Sequence, residues 1–445
     1  MCELRTGSYA VPCIFDPEKT FSAPLTVRVP GSKSITNRAM LLALLADGDT
    51  ALEGCLFSDD SRHFLACVRE LGFPVRADEK TGAVTITGFG GRIPRQEASL
   101  YVGSAGTAAR FLTALAGASH GVYHLDASPQ MRRRPMAPLL ASLRDLGAEI
   151  TCEDREGFFP FTVRGHGFCR RKLSVDIGQS SQFLSALLIA AVCSKEDIAI
   201  ETSGSHGMSY IAITTRMMEQ FGIRVETDDQ GRSFLIPGGQ TYRAGHYRIE
   251  PDVSAACYFY AMAPLLGIPV LVKGVHLSSM QGDIRFLKLL ARMGCCLTDT
   301  EKGILLEGPA GGFYDGITAD LKDCSDQAIT LAALAPFART PTVITGIGHI
   351  RYQESDRIAA IAAELSKMGC RCEERADSVT IYPGAPKPTT VETYDDHRMA
   401  MGFSLTGLRS PGIVIDNPGC CRKTFETYFD VLENSLTRLT DSPES

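Results

Sequence analysis

The sequence predicts an α/β protein built from six repeated units, divided into two lobes of three. Two observations carry that reading. Five times the chain runs an amphipathic helix into an apolar residue plus Gly, turns, and follows with an alternating strand that closes on Gly. The copies are Leu71-Gly72 to Gly88, Leu146-Gly147 to Gly165, Phe221-Gly222 to Gly238, Met293-Gly294 to Gly308 and Met368-Gly369 to Gly384. The helix-ending glycines fall 75, 75, 72 and 75 residues apart, and a Gly just past a helix supplies a left-handed cap. At nearly the same period, a polar loop opens a helix of small residues six times.

The first opening, GSKSITNRAM from Gly31, predicts a helix whose Ile35, Ala39, Leu42 and Ala46 share one buried face. Lys33 and Arg38 at its start pose a physical question, since a helix N-terminus already carries about half a positive charge. The other openings begin at Gly103 (GSAGTAARFL), Gly178 (GQSSQFLSAL), Pro251 (PDVSAACYFY), Ser325 (SDQAITLAAL) and Tyr394 (YDDHRMAMGF). Strands such as AVTITG and GILLEG alternate as half-buried strands do. The last helix, around Phe425 to Asn434, has no strands after it, while AVPCIF and LTVRV are extended segments without a unit. The first thirty residues are therefore expected to complete the last unit. That gives a split lobe of residues 1–31 and 250–445 and a continuous lobe of residues 32–249. The period is longer than the roughly 20 to 50 residues of stacked solenoid repeats, which argues for quasi-symmetric lobes. Were equivalent helices parallel, their N-termini would face a cleft between the lobes, a setting suited to anions.

Of 445 residues, 44% are hydrophobic and 22% charged, enough for an ample core. The net charge of −6, without a long Lys/Arg run, excludes a general nucleic-acid or anionic-membrane binder. The longest strongly apolar run, Phe183 to Cys193, is too short to span a bilayer and is interrupted by Ser185. The first residues lack a basic, then apolar leader, so a cytoplasmic location is expected. Fifteen cysteines without a CxxC, with Cys295-Cys296, Cys370-x-Cys372 and Cys420-Cys421 lacking zinc spacing, predict reduced structural thiols. No HExxH, EF-hand or Walker motif occurs, and Gly103-x-x-Gly106 lacks the dinucleotide spacing, so no protein-held metal is expected.

The rare chemistry falls on the six helix openings. Lys33, Ser34 and Arg38 stand at the first, Ser104, Gly106, Thr107 and Arg110 at the second, and Ser180, Ser181 and Gln182 at the third. Hydroxyls, backbone N–H groups, a guanidinium and an ammonium are ligands for phosphate and carboxylate, so a bound anion would lie between the cations and the helix dipole. The later openings differ in kind: Asp252 and Ser254, Asp326, then Glu354, Asp356 and Arg357 in RYQESDRI, and Asp395, Asp396, His397 and Arg398 in YDDHRMAM, with Lys423 beyond. Carboxylates near cations can serve as acid or base. Taken singly, Glu354 and Asp356 could equally form a surface salt-bridge face, and His397 could be a core histidine.

At these residues the chain resembles the 5-enolpyruvylshikimate-3-phosphate synthase family of enolpyruvyl transferases. The match spans nearly the whole sequence through PGSKSITNRA, GSAGTAAR, SSQFLSALL, ESDR, DDHRMAM and KTF, in family order. The resemblance implies an inside-out α/β barrel in each lobe, no metal or organic cofactor, and transfer of enolpyruvyl from phosphoenolpyruvate to shikimate 3-phosphate. A monomer acting on these two small molecules, with no nucleic acid or membrane partner, is expected. Carried over by position, Lys33, Ser34, Arg38, Ser180, Ser181, Gln182, Tyr210, Asp326 and Gln353 bind shikimate 3-phosphate. Lys33, Gly106, Thr107, Arg134, Gln182, Arg357, Arg398 and Lys423 bind phosphoenolpyruvate, and Lys33, Asp326 and Glu354 are catalytic.

Four positions depart from the family's usual pattern. Gln130 stands where an Arg is usual, so that Arg132, Arg133 or Arg134 would replace it. Gln353 replaces a Lys, Gly207 a Ser with Ser205 and Ser209 close by, and Phe111 a Pro. Glyphosate competes with phosphoenolpyruvate in this family beside the glycine matching Gly106, and Phe111 is expected to weaken the inhibitor more than the substrate. The alternatives are the sister transferase acting on a UDP-amino sugar, whose GxKN opening and reactive loop Cys are not matched by GSKS, and a degenerate small-anion binder. An RNA-binding use of related repeats would need a basic track with stacking aromatics, and the chain is acidic and has no Trp.

Overall fold

The computed structural model describes residues 7–19, 21, 23–204 and 207–440. Contacts divide the chain into a continuous unit, Gly31–Ile249, and a split unit, Met1–Pro30 with Glu250–Ser445. Each contains three sheets among the described residues.

In the continuous unit, Glu97–Tyr101 pairs in parallel with His120–Asp126, the helix Gly106–Ala118 crosses between them, and Phe161–His166 and Glu149–Cys152 extend the sheet antiparallel. Lys172–Asp176 and Ile198–Ser203 repeat the arrangement around the helix Gln182–Ala191, with Ser233–Ile236 and Glu226–Thr227 beyond. In the third sheet, Ala46–Glu53 follows the helix Lys33–Leu45 and finds its parallel neighbours, Tyr242–Arg243 and His246–Arg248, at the far end of the unit. Each helix thus starts near the carboxyl end of a parallel strand, where α/β folds bind ligands.

The split unit repeats the scheme. Thr318–Asp320 and Thr342–Thr345 flank the helix Ala328–Leu334, and Thr389–Val391 and Ile413–Ile415 flank the helix His397–Arg409. Tyr9–Ala10 pairs with Ile413–Ile415 in the last sheet, as expected of a segment completing that unit. Leu25–Val27 does something else: it pairs in parallel with Pro269–Lys273, two sheets earlier in the chain. The first thirty residues therefore serve two sheets. The helix Val253–Tyr260 needs a preceding parallel strand, and the excursion through the continuous unit separates the two in sequence.

The single buried face expected for the first helix is corrected: Ile35 through Leu45 are all buried. Every residue of Gly106–Ala118 and Ala328–Leu334 is buried as well. Helices apolar or small on all sides belong in an interior, and the polar exceptions, such as Asn37 and Arg38, are bonded to distant partners. Outer helices such as Asp59–Glu70 and Arg357–Lys367 bury one face only. The repeat glycines have separate reasons. Gly72, Gly147, Gly222, Gly294 and Gly369 all have φ between +76° and +109°. A Cβ on Gly88 would collide with the Ala43 and Ala46 carbonyls at the end of the first buried helix, and one on Gly165 with those of Ala116 and Ser119.

The last helix is Tyr428–Thr440, later than the expected Phe425 to Asn434. Pro418–Lys423 forms a 3-10 segment whose Cys421 carbonyl takes the N–H groups of Thr424 and Phe425, holding Phe425 in a turn. Among the described residues no helix is long and apolar enough to cross a membrane, and every described cysteine is a free thiol.

Candidate active site

Three helix starts of the continuous unit carry the predicted cations and hydroxyls, and side-chain bonds tie them together. Arg38 is 1% exposed. Its Nε donates to Thr214 Oγ1 (2.8 Å), Nη1 to the Ser34 carbonyl (3.0 Å), and Nη2 to Ser185 Oγ and the Tyr210 carbonyl (3.3 Å each). Its guanidinium lies 5.4 Å from the ring centre of Phe111, which is buried inside the second helix. All four acceptors are neutral oxygens. Burial lowers the Arg38 pKa to about 10, so it stays cationic at neutral pH. An anion would find this charge already stripped of water and fixed in direction.

Lys33 is the first residue of its helix, with Nζ 3.7 Å from Asp60 Oδ2. Asp60 is 2% exposed, and its Oδ1 is buried without a hydrogen-bond partner among the described residues. Asn37 Nδ2 donates to Thr107 Oγ1 (2.6 Å), joining the first helix to the second. A Cβ on Gly106 would come within 2.8 Å of Arg134 Nη1 and 3.0 Å of Arg110 Nη1, so two guanidiniums flank this helix start. Within the Arg132 to Arg134 run, Arg134 is the one placed there. Arg132 pairs with Asp126 at 2.8 Å, and Arg133 is exposed. At the third helix, Gln182 Oε1 is buried without a partner among the described residues, Ser180 Oγ accepts the Gln182 N–H (3.3 Å), and Ser181 is buried. Gly207 has φ +66°, and a Cβ there would crowd Ser181 Oγ, so a Ser at this position would be strained in this backbone conformation. Ser209 is buried; Ser205 lies outside the described residues.

The split unit gathers its candidates into one network. Arg357, the first residue of its helix and 2% exposed, donates to Asp396 (Nε to Oδ2, 2.8 Å), Glu354 (2.8 Å), Asp326 (3.3 Å) and Gln353 Oε1. Arg398 Nη2 donates to Asp326 Oδ2 (2.6 Å) and its Nη1 to Tyr258 Oη (3.3 Å). Lys423 Nζ lies 3.3 Å from Glu354. Three carboxylates face three cations, nearly all out of water. Burial opposes the charge on Arg357, but Asp396, Glu354 and Asp326 outweigh it and raise its pKa. The neighbouring acids of ESDR have opposite fates: Asp356 caps the helix and pairs with Arg351 at 2.8 Å near the surface, whereas Glu354 joins the network. His397 is buried beside Asp396. Asp252 caps the helix Val253–Tyr260. Among the described residues no group of His, Cys, Asp or Glu side chains is arranged to hold a metal ion.

Asp60 and Asp283 receive no role from the sequence, because a lone acid near a helix start reads as an ordinary cap, whereas Asp396 stands among the carboxylates that the sequence sets beside cations. Asp283 is buried, accepts the Ser254 hydroxyl, and lies on a segment packed against Ser325–Gln327. Burial first, then Asp326, pushes its carboxyl up to about 7, with Arg398 opposing. A raised folded-state pKa means that the folded protein holds this proton more tightly than the unfolded chain. The associated stability is present below the ordinary value of 3.8 and is lost as pH rises toward about 7. Asp283→Asn is therefore expected to flatten the fall in Tm between about pH 5 and about pH 7.5. Equal losses in variant and wild type would show that Asp283 is ionised throughout.

The continuous unit by itself sets cations and hydroxyls at helix starts, groups suited to small anions, and the split unit by itself wires buried carboxylates to guanidiniums, groups suited to proton transfer. The sequence profile of EPSP synthase (3-phosphoshikimate 1-carboxyvinyltransferase) matches residues 21–432. The chain belongs to that family. It is 46% identical over 406 residues to the 3-phosphoshikimate 1-carboxyvinyltransferase of Trichormus variabilis, covering 91% of this chain and 94% of the relative. It is 38% identical to the chloroplastic enzyme of Brassica napus, covering 98% and 87%. The solved EPSP synthase from Acinetobacter baumannii shares its α/β fold with a TM-score of 0.78 at 26% identity, over 96% of this chain and 97% of that one.

Proposed function

We propose that the chain transfers the enolpyruvyl group of phosphoenolpyruvate to the 5-hydroxyl of shikimate 3-phosphate and releases phosphate. The observation that carries the assignment of roles is the Asp326–Arg357–Glu354–Lys423 network, in which two candidate proton carriers are each held by two cations. Asp326 and Glu354 are the proton-transfer pair, with Lys33 assisting. The 5-hydroxyl loses its proton and attacks C2 of phosphoenolpyruvate while C3 gains a proton, giving a tetrahedral ketal. Phosphate then leaves C2 and a proton leaves C3, restoring the double bond in the enolpyruvyl ether.

Lys33, Gly106, Thr107, Arg134 and Gln182 of the continuous unit, with Arg357, Arg398 and Lys423 of the split unit, are assigned to phosphoenolpyruvate. Ser34, Arg38, Ser180, Ser181, Tyr210 and again Lys33 and Gln182, with Asp326 and Gln353, are assigned to shikimate 3-phosphate. The bonds of Arg38 to the Ser34 and Tyr210 carbonyls support a shared role for those three residues. Gln353 brings its amide oxygen to Arg357, so it contributes less positive charge than a Lys would. Action as a cytoplasmic monomer fits this reading. Phosphate release should require both substrates together. Release without shikimate 3-phosphate, or none with both, would return the chain to the class of small-anion binders or to another acceptor.

A further inference from the structure

Tyr394 and Asp395 are the two described non-glycine residues with left-handed backbone, at φ +53° and +52°. Bulky L-residues avoid that region, and such strain persists only where the surroundings over-determine it. The turn immediately precedes Asp396 and Arg398.

What holds the turn is a carboxylate outside the site. Glu364 is wholly buried, and its Oε1 accepts from Tyr394 Oη (2.8 Å) and from Lys367 Nζ (2.7 Å). Its Oε2 accepts the Glu392 N–H (3.2 Å), on the strand side of the turn. On the other side Asp396, also wholly buried, accepts from Arg357 Nε (2.8 Å), Arg357 Nη2 (3.2 Å), Ser355 Oγ (3.0 Å) and the Arg398 N–H (3.0 Å). Glu364 and Arg357 lie on one helix, Arg357–Lys367, two turns apart on its buried side. One rigid element therefore grips the strained turn at both ends, through Glu364–Tyr394 and through Arg357–Asp396.

We propose that Glu364 is a positioning residue for the transfer reaction: through Tyr394 it holds the left-handed turn that aims Asp396, and with it Arg357 and Arg398, at the enolpyruvyl donor. The inference rests on the assignment of Arg357 and Arg398 to phosphoenolpyruvate. A buried carboxylate paired with one half-exposed lysine is a costly residue to keep for packing alone.

Tyr394→Phe removes only the hydroxyl. It is expected to raise the KM for phosphoenolpyruvate about tenfold, as for loss of one charge-assisted bond. The Kd for shikimate 3-phosphate, measured calorimetrically without phosphoenolpyruvate, should change less than about twofold. Glu364→Gln should show the same split. The double variant should do no more than the worse single change, because both act through one contact. A purely structural Glu364 would lower Tm and leave the two substrates unsplit. If Glu364→Gln does not fold, Tyr394→Phe decides alone: wild-type constants for both substrates, or equal losses for both, overturn the inference. Failure of the wild-type chain to release phosphate from the two substrates would instead overturn the underlying assignment.

Discussion

Lys33→Met should lower turnover at saturating substrates by at least about a thousandfold, within the range general acid–base catalysis and charge stabilisation together supply. The Lys33 ammonium stands at a helix start beside a buried Asp60, 3.7 Å away, in a unit where Arg38 is fixed by neutral oxygens. Methionine keeps the length of the stem and removes the charge. It also leaves Asp60 buried without its cation, so some loss of Tm accompanies the loss of rate. Lys33→Arg separates the two effects. It restores a cation for Asp60 but not a compact ammonium, and should recover Tm with little recovery of kcat. Near-wild-type turnover in Lys33→Met, measured by phosphate release, would remove Lys33 from the chemistry.

Asp326→Asn and Glu354→Gln should each lower kcat by about a hundredfold to ten-thousandfold, while shikimate 3-phosphate binding stays within roughly tenfold. The network adds a sign that the residue types alone do not carry. Asp326 neutralises Arg357 and Arg398, and Glu354 neutralises Arg357 and Lys423. Making either acid a neutral amide leaves its cations with more charge for an incoming anion. The KM for phosphoenolpyruvate should therefore fall while kcat falls. Calorimetry showing shikimate 3-phosphate binding abolished, with the bound fraction turning over at the normal rate, would reassign both acids to substrate binding.

The glycines of the repeat were legible because each answers to a local backbone demand that any Gly advertises. So were the helix openings, whose polar residues break an apolar pattern. The environment of the first helix was not, because periodicity sees Thr36, Asn37 and Arg38 as a solvated face. Their polar atoms meet partners far along the chain: Thr36 the Leu56 N–H, Asn37 Thr107, and Arg38 Ser185 and Thr214. Glu354 and Asp356 show the same limit within one tetrapeptide. Two residues apart, one caps a helix at the surface and the other meets Lys423, and only the fold distinguishes them. Asp60 and Glu364 carry no signal in sequence, since each gains its meaning from a partner about 30 residues away.

The pairing of Leu25–Val27 with Pro269–Lys273 also sets an order of events during synthesis. At about 5 to 20 residues per second, the ribosome needs roughly 10 to 50 s to deliver the partner after the strand has emerged. Tyr9–Ala10 waits longer still for Ile413–Ile415. The continuous unit, whose strands pair only among themselves, is fully synthesised within that interval, so all partners for its sheets are present while Leu25–Val27 and Tyr9–Ala10 still lack theirs. A shortened chain lacking the first thirty residues would keep every strand of the continuous unit and lose a strand from two sheets of the split one, including the parallel neighbour of Pro269–Lys273.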